Sequence, residues 1–309
     1  MPTFTENAAS RGIPIRVIPV SRLAELRDST DTFRASRTLP PTSERFLSIT
    51  SYDVPELPFA AQSLIIAVTK SYSYAELIFR KNARDYRVYS AMVNPYDTTE
   101  TDNYITQAAE SAGYHAVKAA GWLPMKMLGV SSGLAVYGRN NVTYTPEFGS
   151  FFLYSAYFSD MPPENGEWRG FTTAPQCASC GDCLRRCPTG ALTEGEYLVD
   201  VSRCYSMLST NAGEFPEFVP QSAHHTVMRC LKCTYSCQLN RDAVKYALPP
   251  EYFDEDETAF VLSGASYDTA ADALQRKAKL FGLSMFPTIP RNIQACMDAT
   301  DAGGDVSPR

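Results

Sequence analysis

The stretch "QCASCGDCLRRCPTG", residues 176–190, decides how this part of the chain folds, because its four cysteines have a spacing that matches a cluster-binding loop. Three of them are separated by two residues each, and the fourth follows after three more residues, directly before a proline. A [4Fe-4S] cube needs four thiolates directed at one compact object, which three closely spaced cysteines can wrap in a tight loop. The fourth cysteine of such a run typically ligates the other cluster of a two-cluster protein. The stretch is therefore predicted to be half of a larger site; its cysteines are Cys177, Cys180, Cys183 and Cys187.

The other half lies further along the chain, at Cys204 and in "CLKCTYSC". The same crossing rule, applied in reverse, returns the last cysteine of "CLKCTYSC" to the first cube. The predicted ligands of cluster one are Cys177, Cys180, Cys183 and Cys237. The predicted ligands of cluster two are Cys187, Cys204, Cys230 and Cys233. Two structural zinc sites could also use eight thiolates, but zinc does not require the three-cysteine run with its final proline. The ninth cysteine, Cys296, is predicted to be a small buried residue on an apolar helix.

Composition limits the class of protein. The chain has 309 residues, 44% of them hydrophobic and 20% charged, which is typical of a globular protein of about two domains. The net charge of -6 disfavours a large nucleic-acid interface. No basic and apolar leader is visible at the N-terminus, and the longest apolar run, "SLIIAV", is far shorter than the roughly 20 residues of a membrane span. We expect a cytoplasmic protein whose clustered cysteines serve metal or redox chemistry rather than disulfides.

Strand and helix patterns alternate in the first half, which predicts a mixed α/β (α+β) domain over residues 1–165. "SLIIAV" reads as a strand buried on both faces, and "SFFLYSAYF" as a second strand. The spacing from Tyr74 to Met92 predicts a helix, and "PPEYFDEDETAFVLSG" predicts another. The chain would continue with a ferredoxin-like double-cluster domain over residues 166–245 and a helical C-terminal segment over residues 246–309.

One basic stretch, "RKNARDYR" at residues 80–87, interrupts the acidic balance. Its four basic residues surround a single aspartate. We interpret it as the solvated face of a helix, with an anion or phosphate site as the alternative.

Several stretches, in the same order along the chain, resemble the epoxyqueuosine reductase and reductive dehalogenase superfamily. They are "PELPFAAQSLIIAVTKSY", "SSGLAVYGRNNVTYTPEFGSFFLYSAYFSDM", the CxxCxxCxxxCP run, "SRCYSMLS" and "CLKCTYSC". The C-terminal "ETAFVLSGASYDTAADALQRKAKLFGLSMFPTIPRNIQACM" is similar to the helical end of the epoxyqueuosine reductase group. The resemblance covers most of the chain from about residue 55.

The resemblance implies a nitroreductase-like α/β domain and a cobalamin held between that domain and the double-cluster domain. Carried over to this sequence, it makes a set of residues around "YGRNN" candidate cofactor contacts. Glycines let a backbone approach a flat macrocycle, and arginine and asparagine side chains suit its amide and phosphate groups. An ordinary turn leading into a strand would also explain this stretch. The candidates are Tyr137, Gly138, Arg139, Asn140, Asn141, Gly149 and Ser150.

The sequence departs from the family in one respect. Epoxyqueuosine reductases carry an acidic proton donor in an Asp-Ser-x-Pro stretch, and Ala119 stands at about that position here. No carboxylate occurs between Val117 and Glu147. A general acid must carry a titratable or hydroxyl group, so epoxyqueuosine reduction is doubtful. Substitute donors would be the hydroxyls of Tyr72, Tyr74, Tyr86 or Tyr114.

These observations predict an iron-sulfur oxidoreductase that passes single electrons through two clusters to a bound corrinoid and an unidentified substrate. The alternative is a non-enzymatic protein that delivers electrons to a partner, including a corrinoid protein. The expected electron donor is of the ferredoxin or flavodoxin type, with no membrane partner and no nucleic acid. His115 lies outside any Asp-x-His-x-x-Gly cobalt-ligating motif. His224 and His225 are expected to form a solvated pair near cluster two, or to tune it by hydrogen bonding.

Overall fold

A computed structural model describes residues 3–36, 38–39, 41–94, 97–164, 166–194, 199–243 and 247–307. Both expected segment boundaries, at residues 165 and 245–246, lie outside these ranges. Among the helices that fall within them, none is long and apolar enough to cross a membrane.

A four-stranded antiparallel sheet organises the first half of the chain. Its strands, in spatial order, are β1 (Ile15–Pro19), β2 (Ser63–Lys70), β8 (Phe152–Ser159) and β5 (Ala116–Lys118). Successive side chains of a strand point to opposite faces, and β2 shows this directly. Ile65 and Ala67 pack on one face, while Leu64, Ile66 and Val68 pack on the other. The prediction that "SLIIAV" is a strand buried on both faces is confirmed.

Helices cover both faces of this sheet. One face packs against α1 (Phe4–Ser10) and α4 (Thr99–Ser111). The other packs against α2 (Arg22–Ala35) and α5 (Met125–Ser131), and α3 (Pro41–Ser48) follows α2 in the chain. We call this sheet with α1–α5, together with the short hairpin of β6 (Val136–Tyr137) and β7 (Thr143–Tyr144), the α/β region.

The helix expected from Tyr74 to Met92 is wrong, because this segment is a hairpin of β3 (Ala75–Lys81) and β4 (Arg84–Ser90). Asn82 and Ala83 both have positive φ, at 53° and 60°, which is the backbone of a tight two-residue hairpin turn. The basic stretch therefore lies on strands. Its four basic residues are paired with Asp85, Gln294, Asp301 and Glu76 rather than grouped around an anion.

A second sheet forms where β9 (Leu248–Phe253) pairs in parallel with β3. The start of "PPEYFDEDETAFVLSG" is thus a strand, and its helix, α9 (Glu255–Ser263), begins only after the cap at Asp254. The chain continues in α10 (Asp272–Phe281) and α11 (Ile289–Asp301), which has Pro290 in its first turn. These helices share one hydrophobic core with β3 and β4, so the third segment does not have a core of its own.

In the cysteine-bearing segment, residues 176–240, the described residues form three short α-helices: α6 (Asp182–Arg186), α7 (Tyr205–Leu208) and α8 (Lys232–Tyr235). We call it the cluster region. Short turns rather than long elements position its side chains, which places the metal chemistry in loops held between the α/β region and the C-terminal helices.

Candidate metal centre

Eight cysteines of the cluster region are free thiols with partial exposure, whereas Cys296 is fully buried. Cys296 lies on α11 in the hydrophobic core, as the sequence predicts for a small packing residue. Cys187 ends α6 in an extended conformation, and Cys204 begins α7 in the same way. At both cysteines the backbone therefore leaves the helical conformation.

The first group of thiols surrounds one cavity. Burial raises the pKa of Cys183, and the neighbouring thiols of Cys177, Cys237 and Cys180 raise it further. These four cysteines line a cavity together with the hairpin that joins β6 to β7. Cys237 thus lies beside the first three cysteines in space, although it is 54 residues beyond Cys183 in sequence.

The second group is more deeply enclosed. Burial raises the pKa of Cys230 to about 12, with further contributions from Cys204 and Cys187. Burial also raises the pKa of Cys233 well above its usual range, and the thiols of Cys230, Cys204 and Cys187 raise it further. Each group of four matches one predicted ligand set, while ligation itself stays a prediction.

The chemistry of these donors fits iron-sulfur cubes. Thiols packed this closely resist ionisation, whereas bound iron holds them as thiolates. Within the described part of the chain, no three His, Cys, Asp or Glu side chains converge tightly enough to hold a single metal ion. A cube instead distributes its four thiolates over four irons.

The α/β region contacts both groups through the turn after β6. The Arg139 Nη2 donates to the Cys177 carbonyl at 2.8 Å, and the Asn140 Nδ2 donates to the Cys233 carbonyl at 3.0 Å. Asn140 also donates to the Tyr144 hydroxyl at 2.8 Å, and a hydrogen bond from that hydroxyl lowers the pKa of Cys237, against the stronger effect of burial. The turn therefore reaches the loops that carry three of the cysteines.

The two candidate glycines have close neighbours within the protein. A Cβ on Gly138 would lie 2.5 Å from the Tyr144 ring and 2.7 Å from Asn140 Oδ1. Gly149 has a φ of 56°, and a Cβ there would overlap the Asn240 side chain. Ser150 donates its backbone N–H to Asn240 Oδ1 at 2.7 Å and accepts from Nδ2 at 2.8 Å. Close packing against protein, rather than against a macrocycle, accounts for these positions.

Tyr137 and Asn141 remain partly exposed in the same hairpin. The Lys126 Nζ donates to the Asn141 carbonyl at 2.9 Å. The Lys126 side chain is exposed, although desolvation by the surrounding protein lowers its pKa. The thiols of Cys204 and Cys233 raise the same pKa, so Lys126 lies near the second group.

The expectation of a solvated histidine pair is wrong. His225 is fully buried and His224 is 9% exposed. The His225 Nδ1 donates to the Ala223 carbonyl at 2.7 Å, which leaves Nε2 to accept the Leu231 N–H at 3.1 Å. Burial lowers the pKa of His225 to about 3, so the ring is neutral. It orders the loop that carries Cys230.

The four tyrosines considered as substitute proton donors are dispersed. Tyr72 lies on another surface, beside Arg11 and Lys70, and Tyr114 packs in the core under the first sheet. Tyr86 hydrogen-bonds Asp301 on α11. Only Tyr74 approaches the cluster region, with its ring 5.6 Å from that of Tyr235.

Sequence reasoning missed two structural residues around the cysteines, Asn240 and Asn292. Both are fully buried, and both donate to backbone carbonyls across the site. No local pattern marks them, since Ser150, Ser209 and Val227, which they contact, lie 65 to 90 residues away. The adjacent histidines were visible in the sequence, and only their burial was not.

Comparison with known proteins identifies the class. Residues 176–240 match a family described as a 4Fe-4S double cluster binding domain. The chain is 30% identical over 110 residues to an epoxyqueuosine reductase from Bacillus anthracis, covering 36% of this chain and 28% of the relative. It is 25% identical over 158 residues to the epoxyqueuosine reductase from Bacillus subtilis (strain 168), covering 51% and 39%. The matches thus span less than two fifths of these relatives.

The fold extends the likeness beyond the matched sequence. The structure of epoxyqueuosine reductase from Streptococcus thermophilus aligns with a TM-score of 0.62, at 16% identity, over 95% of this chain and 80% of that chain. The protein is a mixed α/β protein with a domain for two [4Fe-4S] clusters. The chain is similar to epoxyqueuosine reductases in its fold and in part of its sequence.

Proposed function

We propose that this protein is an iron-sulfur oxidoreductase that passes single electrons through two [4Fe-4S] clusters to an acceptor at the edge of the α/β region. The observation that carries the proposal is the gathering of eight cysteines into two adjoining groups of four, both contacted by the turn after β6. Two neighbouring clusters suit one-electron transfer, since each cube changes charge by one electron.

The first experiment tests the clusters. Protein purified without air should contain about eight irons and about eight acid-labile sulfides per chain, the content of two cubes. Its brown colour should bleach on reduction with dithionite. A colourless protein that contains zinc would overturn the proposal.

The acceptor we propose is a corrinoid. The superfamily resemblance supports it, as do the partly exposed Tyr137 and Asn141 beside the exposed Lys126. The fit is partial, because Gly138, Asn140, Gly149 and Ser150 are engaged within the protein. A bound corrinoid would supply a cobalt centre able to take up electrons one at a time, and Lys126 would offer it a hydrogen-bond donor. The nitroreductase-like character of the α/β region belongs to the same proposal.

Cobalamin titration tests the acceptor. Addition of cob(II)alamin to the anaerobic protein should change its absorption spectrum, and the corrinoid should co-elute on gel filtration. Unchanged spectra without co-elution would remove the corrinoid and leave the clusters in place. Lys126→Met should weaken binding, while Lys118→Met, on the far side of the sheet, serves as the matched control.

The second candidate is a non-enzymatic electron carrier, which one observation favours. No carboxylate lies between Val117 and Glu147, so the acid expected near Ala119 is missing. Under this proposal the protein would reduce a partner, including a corrinoid protein. Failure to complement a strain that lacks epoxyqueuosine reduction, together with intact clusters, would support it; complementation would instead establish that activity.

The electron donor we propose is a ferredoxin or flavodoxin, in the cytoplasm. Cys180 and Cys237 border a solvent-open cleft that also contains Arg185 and Arg241. Basic side chains at an exposed cluster suit an acidic donor, and their attraction weakens with salt. Reduction by a flavodoxin should therefore slow as ionic strength rises. A rate that is independent of salt would count against this docking site.

A further inference from the structure

We propose that Arg139 of the α/β region donates its Nε–H to a sulfur of cluster one and thereby raises the reduction potential of that cluster. The inference rests on the proposed binding of two [4Fe-4S] clusters. Arg139, which the family resemblance made a candidate cofactor contact, would instead help to set the reduction potential of cluster one.

The Nε atom is the starting observation. It is buried and has no hydrogen-bond partner in the structure. Among the described residues, the other buried side-chain polar atoms without a partner are hydroxyls, of Ser63, Ser73, Tyr154 and Ser155. A buried donor left unpaired costs about 1–3 kcal/mol, so an unpaired guanidinium N–H calls for an acceptor.

The surroundings of Arg139 show where that acceptor would lie. Arg139 lines the same cavity as all four thiols assigned to cluster one, while Cys233 alone of the cluster-two thiols also borders it; the four are Cys177, Cys180, Cys183 and Cys237. Its Nη2 is held by the Cys177 carbonyl at 2.8 Å. One end of the planar guanidinium is therefore fixed to the loop that would hold the cube, and the unpaired Nε–H belongs to the same rigid group.

The hydrogen-bond donors next to Arg139 already have partners within the protein. The Asn140 amide is shared between the Tyr144 hydroxyl and the Cys233 carbonyl. Arg185, on the outer side of the cluster region, is exposed and paired with Asp182. Arg139 is thus a cation that reaches the first group of thiols from the protein interior.

The expected effect follows from the charge of the cluster. A cube with four thiolates is an anion, and reduction adds one more negative charge. Hydrogen bonds to the sulfurs and a nearby positive charge stabilise the reduced form more than the oxidised form. Burial strengthens both effects, because the local dielectric is lower than in water. Arg139 therefore makes cluster one easier to reduce.

The test is potentiometry of Arg139→Met, followed by electron paramagnetic resonance on protein that contains both clusters by iron and sulfide analysis. Cys237→Ser identifies the signal of cluster one. The midpoint potential of cluster one should become more negative in Arg139→Met, with a smaller change in cluster two. The matched control, Arg27→Gln, changes an exposed arginine of α2 that is paired with Asp53, and it should leave both potentials near those of the natural protein. Unchanged potentials in fully loaded Arg139→Met would overturn the proposal.

A second variant covers the case in which Arg139→Met fails to hold cluster one. Arg139→Lys keeps the positive charge but removes the Nε–H. In the natural protein, transfer to D₂O should shift iron–sulfur vibrations of cluster one in resonance Raman spectra, and the shift should shrink in Arg139→Lys. Equal shifts in the two proteins would disprove the hydrogen bond. Low iron in the natural protein would instead contradict the two-cluster function itself, so the two failures are distinguishable.

Discussion

The two groups of cysteines differ in what encloses them. The first group borders both the turn after β6 and a cleft open to solvent, which Cys180 and Cys237 line. The second group lies against the buried His225 loop, which α11 supports through Asn292. Solvent exposure and hydrogen bonding both tune cluster potentials, so two chemically similar sites acquire different surroundings from the same fold.

The largest expected effect comes from removing one ligand of each group. Cys237→Ser and Cys204→Ser should each lose up to about half of the iron, because each removes one of the four thiolates that hold one cube. The two variants should retain different electron paramagnetic resonance signals. Cys296→Ser, which changes a buried packing residue, is the control and should keep both signals. If Cys237→Ser and Cys233→Ser lost the same signal, the crossing of ligands between the groups would be wrong.

Gly149→Ala tests the contact that joins the α/β region to the first group. The added Cβ would overlap the Asn240 side chain and lie 3.0 Å from both Ala243 and the Leu239 carbonyl. With positive φ in addition, we expect a loss of about 2–4 kcal/mol in the free energy of unfolding.

The matched control is Gly190→Ala. Gly190 has a similar φ of 64°, but nothing lies within 4 Å of its Cβ position. Backbone strain alone should cost about 1 kcal/mol there. Anaerobic chemical denaturation compares the two variants, and equal losses would show that the contact with Asn240 contributes nothing.

Two fully buried asparagines allow a direct comparison of the two groups of cysteines. Asn240 holds Ser150 and the Thr234 carbonyl near the first group, whereas Asn292 holds the Ser209 and Val227 carbonyls near the second. Each alanine variant leaves buried backbone groups unpaired and should lose about 2–3 kcal/mol of stability. Asn240→Ala should disturb mainly the signal of cluster one, and Asn292→Ala that of cluster two. If both variants disturbed the same signal, the two asparagines would not act on different clusters.

The smallest effect concerns pH and His225. Burial holds the pKa of this ring at about 3 in the folded protein, and nearby Lys232 and His224 lower it further. In the unfolded chain a histidine titrates near 6.5. Stability from the neutral ring is therefore complete above pH 6.5. It falls by up to about 1.4 kcal/mol per pH unit as the pH drops toward 3, because only the unfolded chain binds the proton.

Denaturation at pH 7.5, 6.5 and 5.5 measures this slope. His225→Gln should flatten it, since the amide can replace both hydrogen bonds without titrating. His115→Gln, which changes an exposed ring, should leave it unaltered. A natural protein whose stability does not change between pH 6.5 and 5.5 would contradict a neutral buried His225.

Local patterns predicted several elements well. The strands at "SLIIAV" and "SFFLYSAYF" are confirmed, because each carries its own run of apolar, β-branched or aromatic residues. The prediction of a helix from Tyr74 to Met92 was wrong although the apolar spacing of this segment suits a helix. The two positive φ values at Asn82 and Ala83, and the pairing of β3 with β9 about 170 residues away, turn it into sheet instead.

The candidate site shows the same division. The spacing of the cysteines predicted two groups of four, and the structure brings these groups together. The residues proposed around a corrin were chosen by resemblance and local chemistry. Four of them, Gly138, Asn140, Gly149 and Ser150, also contact Tyr144, Cys233 or Asn240 within the protein, and their contact with a corrin stays a prediction.

By itself, the sequence determined the metal chemistry of this protein. Cluster binding depends on short loops, and the spacing of their cysteines can be read directly from the sequence. Tertiary structure alone decided what each group of thiols faces. The unpaired Nε–H of Arg139 reaches its cavity across 38 residues of chain, and Asn240 meets Ser150 across 90. Such contacts form only when separate segments pack together, so no local sequence pattern predicts them.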